Sequence, residues 1–312
     1  MTNNKEKPII SLCIPTNGVL EWILPVLRSI YTQNVDLNLF EVVITDNGVD
    51  SKLKTKLSEF NYSNLHFYES AEKGFVNQIS SFKNANGIFC KMLNHRGCLL
   101  PGSLQKMIEV VRKYQDIKPI LYFSDAKLKS YGEFIECSNI DAFVYSLHYW
   151  ISWSSGIGIW DIDKSQIDNI NYDRMFPHAS LIFGSRQNSS CVIWNKQYQK
   201  MLDDSGKGGY DVFYTFSVTL LDLLKELKIQ KRISRNTLKY TKRKLLNFLS
   251  ELYYTEVLRP RIHTFEIKDI KKSILVHYTI YDYYWMIFRA LFFFVTAPVR
   301  VVKRCMNKRL DK

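Results

Sequence analysis

Five short stretches of this 312-residue chain carry side chains whose types and spacing could do chemistry. Pro15-Thr16-Asn17-Gly18 and Asp46-Asn47-Gly48 each end an apolar run with polar groups and a glycine, the composition of a turn that presents hydrogen-bonding side chains. Asp46 can accept from the N–H or O–H groups of a ligand, or can serve its own backbone as an Asx turn or helix cap. Lys73 precedes Gly74 and the start of a helical pattern, a natural approach to a phosphate, and Asn77 follows one turn later. In the loop Asn94-His95-Arg96, arginine suits a bidentate phosphate contact, histidine adds charge when protonated, and asparagine offers one weak oxygen ligand to a metal. Finally, "NYDRMFPHASLIFG" brings Asp173 and His178 to a helix start near Pro177, where either could take a proton from a hydroxyl. Histidine has the more suitable ordinary pKa, about 6.5, whereas Asp173 would need desolvation. Helix capping is the competing reading for both.

The elements that must position these residues alternate short apolar runs with longer amphipathic ones, the pattern of βαβ units. Strands are expected at "IISLCI" (9–14), "FEVVIT" (40–45), "LHFYES" (65–70), "GIFCKML" (87–93) and "PILYFSDA" (119–126), with helices to about Gln33, near 50–60, near 75–86 and from Pro101. A further strand is expected at Gly156 to Trp160. The sum is an open, mostly parallel α/β sheet flanked by helices, whose ligands collect at the carboxyl ends of the strands. Trp150, Trp153 and Trp160 are read first as core residues.

Charge divides the chain unevenly. Residues 231–312 hold 19 of the 43 Lys and Arg but only 6 of the 30 Asp and Glu, leaving 24 of each in residues 1–230. The expected organisation is a compact body, 1–230, and a basic, aromatic, amphipathic helical region, 231–312. Only ten uncharged residues separate Arg289 from Arg300, so the tail is expected to lie on an anionic membrane surface without crossing it. Packing on the body or a second subunit, giving a homo-oligomer, is the alternative. No zinc spacing or nucleic-acid motif is present, so no nucleic acid partner is expected. Six cysteines without paired spacing and a short polar N-terminus point to a cytoplasmic protein with neither signal peptide nor spanning helix.

The order "SLCIPTNG…LRSIYTQ…FEVVITDNGVD…EKGFVNQ…ANGIFCKMLN…LLPGSL" resembles the nucleotide-sugar-binding half of the GT-A-fold, family 2 glycosyltransferases. Among them it is most similar to the abequosyltransferase-like enzymes of bacterial surface polysaccharide synthesis. The resemblance covers about residues 8 to 125 closely and reaches about 225 loosely. It implies inverting transfer of a hexose or deoxyhexose from a nucleotide-sugar donor, with a UDP-sugar favoured, onto a lipid-linked glycan at the inner face of the membrane. It implies donor contacts for Thr16, Asn17, Asp46 and Lys73, and a proton acceptor near His178 or Asp173. An aromatic such as Trp150 or Trp153 could also form a platform for the sugar.

One departure stands out. The family places aspartates after the fourth strand to hold a divalent cation on the donor diphosphate, whereas this chain has Asn94-His95-Arg96. Two readings follow. Either the loop cradles the diphosphate itself, with no metal required and Mg²⁺ or Mn²⁺ at most assisting, or the chain is a catalytically inactive GT-A-like scaffold subunit.

Overall fold

A computed structural model describes residues 6–293 apart from 51, 130, 187–188 and 204–206. The chain divides into two compact units, Met1–Asp203 and Asp204–Lys312. The structural boundary therefore falls ahead of the change in composition at 231. The terminal Lys/Arg cluster of 300–312 lies outside the described residues.

The first unit runs β1 (Ile10–Thr16), α1 (Leu20–Tyr31), β2 (Phe40–Asp46), α2 (Lys52–Leu57), β3 (Leu65–Glu69), α3 (Asn77–Asn84), β4 (Phe89–Met92) and β5 (Gly97–Leu99). It continues with α4 (Ser103–Tyr114), β6 (Ile120–Phe123), β7 (Phe134–Cys137), α5 (Ile140–Leu147), β8 (Gly158–Trp160), α6 (Pro177–Ser185), β9 (Cys191–Trp194) and β10 (Gln199–Met201). The central sheet has the order β3-β2-β1-β4-β8. Its first four strands are parallel, and β8 runs antiparallel on β4. All seven residues of β2 are buried, and so are six of the seven in β1, as expected for parallel strands covered on both faces. Helix α1 turns Ile23, Val26, Leu27 and Ile30 to the core, and α4 turns Leu104, Met107, Ile108 and Val111, each a one-sided stripe at helical spacing. Each such side chain contributes roughly 1.5–3 kcal/mol relative to exposure.

The stretch 119–126, expected to extend this sheet, instead supplies β6 to a separate three-stranded sheet of order β6-β9-β7. Its place is taken by β8, and a single bridge between Tyr122 and Ile157 links the two sheets. An apolar run identifies a buried strand but not its neighbour; in the β4–β8 pair Trp160 stands opposite Phe89, packs edge-on against it at 4.8 Å and donates from Nε1 to Pro119 O at 2.6 Å.

The second unit pairs β11 (Gly208–Asp211) with β12 (Thr264–Glu266). Its helices are α7 (Val212–Tyr214), continued through a π turn at Thr215–Thr219 into α8 (Leu220–Ile229), then α9 (Arg235–Glu256) and α10 (Ile270–Leu275). Residues 280–293 are helical. Ser234 caps α9 by accepting from Thr237 N–H, and the basic stretch after 231 folds as expected into a helix with Leu245, Leu246 and Leu249 inward. No helix among the described residues is long and apolar enough to cross a membrane.

Strand β4 holds a lysine with no exposure at all, Lys91. Its Nζ donates to Met92 O at 2.6 Å, to Ser155 O and to Tyr198 Oη at 3.4 Å, and lies 5.0 Å from the Phe123 ring centroid. Burial pushes its pKa down to about 7, against an upward pull from Asp125. An unfolded chain returns this lysine to about 10.4, so between pH 7 and 10 it binds more protons than the folded chain and stability rises with pH. Thermal melts of the wild type across that window should show the rise, and Lys91→Met should flatten it. An equal slope in the variant would mean that Lys91 keeps its charge throughout.

Candidate functional site

The carboxyl ends of β1 and β2 finish in two interlocked turns. Asn47 N–H donates to Thr16 O at 3.0 Å, and Asp46 Oδ1 accepts from Gly48 N–H at 2.8 Å. The second contact is the Asx turn that competes with ligand binding for this side chain, and it occupies one carboxylate oxygen. Oδ2 makes no hydrogen bond among the described residues. Two glycines allow the turns to lie this close. A Cβ on Gly48 would sit 2.6 Å from Asn17 O, and Gly18, at φ +82°, places its backbone where a Cβ would stand 3.3 Å from Asp46 Oδ2. Asp46 is 6% exposed, and burial raises its pKa despite the Gly48 N–H, with Asp50 and Glu69 adding to the rise. A desolvated carboxylate with an unused oxygen is a strong acceptor for a ligand donor.

Helix α3 closes this corner. Asn77, at its first position, donates from Nδ2 to Thr45 O at 2.8 Å and to Thr16 O at 3.3 Å, tying the ends of both strands. Asn47 Nδ2 reaches Glu72 O at 2.9 Å and so holds the loop carrying Lys73 beside the end of β2. Lys73 itself is exposed, as is Asn17.

The Asn94-His95-Arg96 loop reaches the same corner from β4. His95 Nδ1 lies 3.0 Å from Thr16 Oγ1, which also accepts from Gly18 N–H at 3.2 Å. The set is satisfied when Thr16 donates to Nδ1 and the ring proton resides on Nε2. Burial, aided by the Arg96 charge, pushes the His95 pKa down to about 4, so the expectation of added positive charge from His95 is corrected: the ring is neutral at physiological pH. Arg96 is 7% exposed and lays its guanidinium 3.4 Å from the centroid of Trp22, in the first turn of α1. Trp22 also contacts the His95 ring at 5.2 Å. Asn94 Oδ1 accepts from Arg96 N–H at 2.9 Å.

These residues do not fit a hard divalent cation. The one amide oxygen in the loop is committed to a backbone N–H, the histidine nitrogen facing the corner is paired with a hydroxyl, and a permanent cation stands beside both. Among the described residues no three His, Cys, Asp or Glu converge as a metal-binding group.

The two residues named as proton acceptors sit in different states. His178 is 2% exposed, with Nδ1 3.1 Å from Gln78 Oε1 and Nε2 3.1 Å from Ser152 O. Burial lowers its pKa to about 4, so the ordinary value expected from sequence does not hold. A neutral ring donating to Ser152 O leaves Nδ1 as an acceptor, which requires the Gln78 amide to present its nitrogen. Asp173 is half-buried ahead of α6, and its Oδ1 accepts from Met175 and Phe176 N–H, each at 2.8 Å. That is an Asx-type turn in the loop ahead of α6 and not a helix cap, and Asp173 Oδ2 makes no hydrogen bond among the described residues. Nearby, the segment 148–156 carries half-buried Trp150 and Trp153, held by Tyr122 Oη donating to Trp150 O at 2.6 Å and Trp153 O at 3.1 Å. Trp160 is core, at 1% exposure.

Trp22, Asn47 and Gln78 were not singled out from the sequence. Trp22 had a usable signal, an aromatic in the first turn of the helix that follows the first strand, on the side where the arginine loop must arrive.

No protein-family model and no curated protein sequence matches the chain. Solved structures do. Residues 1–349 of TarS from S. aureus, in complex with UDP-GlcNAc, superpose with a TM-score of 0.59 at 14% identity, over 81% of this chain and 76% of that one. The same fragment with UDP gives 0.55 at 14% identity, over 81% and 74%. A mannosyltransferase from Pyrobaculum calidifontis with GDP-Man and Mn²⁺ aligns at 0.47 and 12% identity, over 79% and 75%, too distant to bear on this chain. Identities this low speak to architecture alone, and on that the chain is plain: a mostly parallel α/β sheet flanked by helices, the fold of the GT-A glycosyltransferases.

Proposed function

We propose that the chain is a glycosyltransferase that binds a nucleotide-sugar donor, a UDP-sugar by preference, at the carboxyl ends of β1, β2 and β4, and passes the sugar to a glycan hydroxyl with inversion. The observation that carries this reading is the buried Asp46 carboxylate with one oxygen unspent, enclosed by the Thr16–Gly18 turn, whose Thr16 also meets His95 of the arginine-bearing loop. Asp46 Oδ2 accepts from the base or ribose, Thr16 and Asn17 line the base, and Lys73 approaches from the loop that Asn47 positions. The fold supports this placement, since ligands of open α/β sheets collect at these strand ends.

Breaking the bond to a diphosphate leaving group requires offset of about two negative charges. Arg96, held flat on Trp22, supplies a fixed cation with a planar face, and Lys73 supplies a mobile one. His95 contributes a ring N–H and not a charge. Asp173 is the better proton acceptor of the two candidates, because its Oδ2 is open while both His178 nitrogens face protein groups; His178 then positions α6. The acceptor in this proposal is a lipid-linked surface glycan, which places the protein on the cytoplasmic face of the membrane, with the abequosyltransferase-like enzymes as its functional kin. The locked His178 and the absent acidic pair favour one rival, a non-catalytic donor-binding subunit.

Three measurements test these assignments. Calorimetric titration with UDP-sugars should show Asp46→Asn, which keeps the Asx turn but places a donor at Oδ2, weakening affinity by about 1–3 kcal/mol. Undiminished affinity would remove Asp46 from the donor site. Asp173→Asn should cut turnover about 10²-fold or more with donor affinity unchanged, whereas His178→Asn should lower the melting temperature first. Donor binding without any turnover in the wild type would establish the non-catalytic reading. Transfer should also survive exhaustive EDTA, while Trp22→Ala weakens donor binding by about 1–2 kcal/mol through loss of the arginine's platform. Activity lost to EDTA and restored by Mn²⁺, with Trp22→Ala unaltered, would show that a metal does this work.

A further inference from the structure

We infer that the aromatic ridge of helix 280–293 is a docking surface for an anionic lipid bilayer. Tyr281, Tyr284, Trp285, Phe288 and Leu291 recur at the 3- and 4-residue spacing of one helix face, and each is between 49 and 83% exposed. The Trp285 and Phe288 rings stack on each other at 5.8 Å, so the ridge is continuous. The opposite face is spent inside the second unit: Met286 and Ala290 have no exposure, and Phe293 lies 6.2 Å from the Tyr254 ring. Asp282 and Arg289, the charged residues of this helix, are both half-buried off the ridge. A contiguous apolar face of this kind on a water-exposed helix marks an interaction surface.

Two features select a bilayer as the occupant. The ridge is rich in Tyr and Trp, whose amphipathic rings favour the headgroup region. The sequence that follows it, 294–312, holds six Lys and Arg against one Asp, complementary to an anionic leaflet. The ridge spans about 15 Å at 1.5 Å per residue, half of a bilayer's hydrocarbon thickness, so it lies along the surface with its rings inserted. The inference extends the proposed function by naming what holds the chain where a lipid-linked acceptor would be met.

Cosedimentation of the full-length chain with vesicles tests it without donor or acceptor. The protein should bind phosphatidylglycerol/phosphatidylcholine vesicles, bind pure phosphatidylcholine less, and release as salt rises. Trp285→Ser with Phe288→Ser should lower partitioning by about tenfold or more while the circular dichroism spectrum stays unchanged. Wild-type protein that ignores anionic vesicles at low salt overturns the inference, and so does binding that the double variant retains. A concentration-dependent dimer dissolved by the same variant, without vesicle binding, would assign the ridge to a second copy. UDP-sugar binding by the variant separates the two proposals: a failed vesicle assay leaves the donor site standing, and a failed donor assay leaves this surface standing.

Discussion

Everything the candidate site can do depends on one side chain that closes the ends of two strands. At the carboxyl edge of a parallel sheet the ladder runs out, and the terminal carbonyls need donors from elsewhere. Asn47 N–H serves Thr16 O and Ser70 N–H serves Asp46 O, while the single Asn77 amide reaches both Thr45 O and Thr16 O and so ties together the turns that carry Thr16 and Asp46. The arrangement has a cost: Asn77 Oδ1 is buried and accepts no hydrogen bond, a deficit of about 1–3 kcal/mol. An unsatisfied acceptor that persists beside a desolvated carboxylate fits a corner shaped for binding and not for maximal stability.

The charge balance of the corner follows from how its cation is held. An arginine swinging in solvent would lose rotamer entropy on meeting a phosphate, whereas Arg96 has already lost it by lying on Trp22. The same stack explains the neutral histidine. With a fixed cation beside it and little water around it, His95 is more stable uncharged, and it spends its ring on Thr16. In the proposed reaction, one cation and one neutral hydrogen-bonding ring would stand in for an acidic pair and a bound metal, and acidic ligands beside Arg96 would only neutralise it.

The strands and the helices that feed this corner were legible from the sequence because burial on both faces leaves long apolar runs, as in "IISLCI" and "FEVVIT", and one-sided helices leave a 3.6-residue stripe. The turns were legible from Thr16-Asn17-Gly18 and Asp46-Asn47-Gly48, since their polar and glycine content has few other uses. Strand partnership was not: 120–123 and 158–160 are both short and apolar, and the close approach of β8 to β4, with Trp160 opposite Phe89 and Gly158 leaving room for that ring, is visible only in the fold. Nor could sequence show protonation. His95 and His178 look like ordinary histidines until burial drives both toward pKa 4. Gln78 escaped notice because its role is defined only by a partner 100 residues away.

Those long-range partners link the two halves of the proposed reaction. Asn77 and Gln78 are neighbours in one helical turn; the first clips the strand ends proposed to bind the donor, and the second meets His178 at the start of α6. His178 in turn donates toward Ser152 O, in the segment that presents Trp150 and Trp153. A proton acceptor at Asp173 must be held within a few tenths of an ångström of the attacking hydroxyl, and a carboxylate at a helix entrance is only as well placed as the helix. The two buried bonds of His178 provide that placement, one to the donor helix and one to the aromatic segment. A group charged at neutral pH could not occupy this interior position, so the depressed pKa that disqualifies His178 as a ready base is the property that lets it serve as the joint.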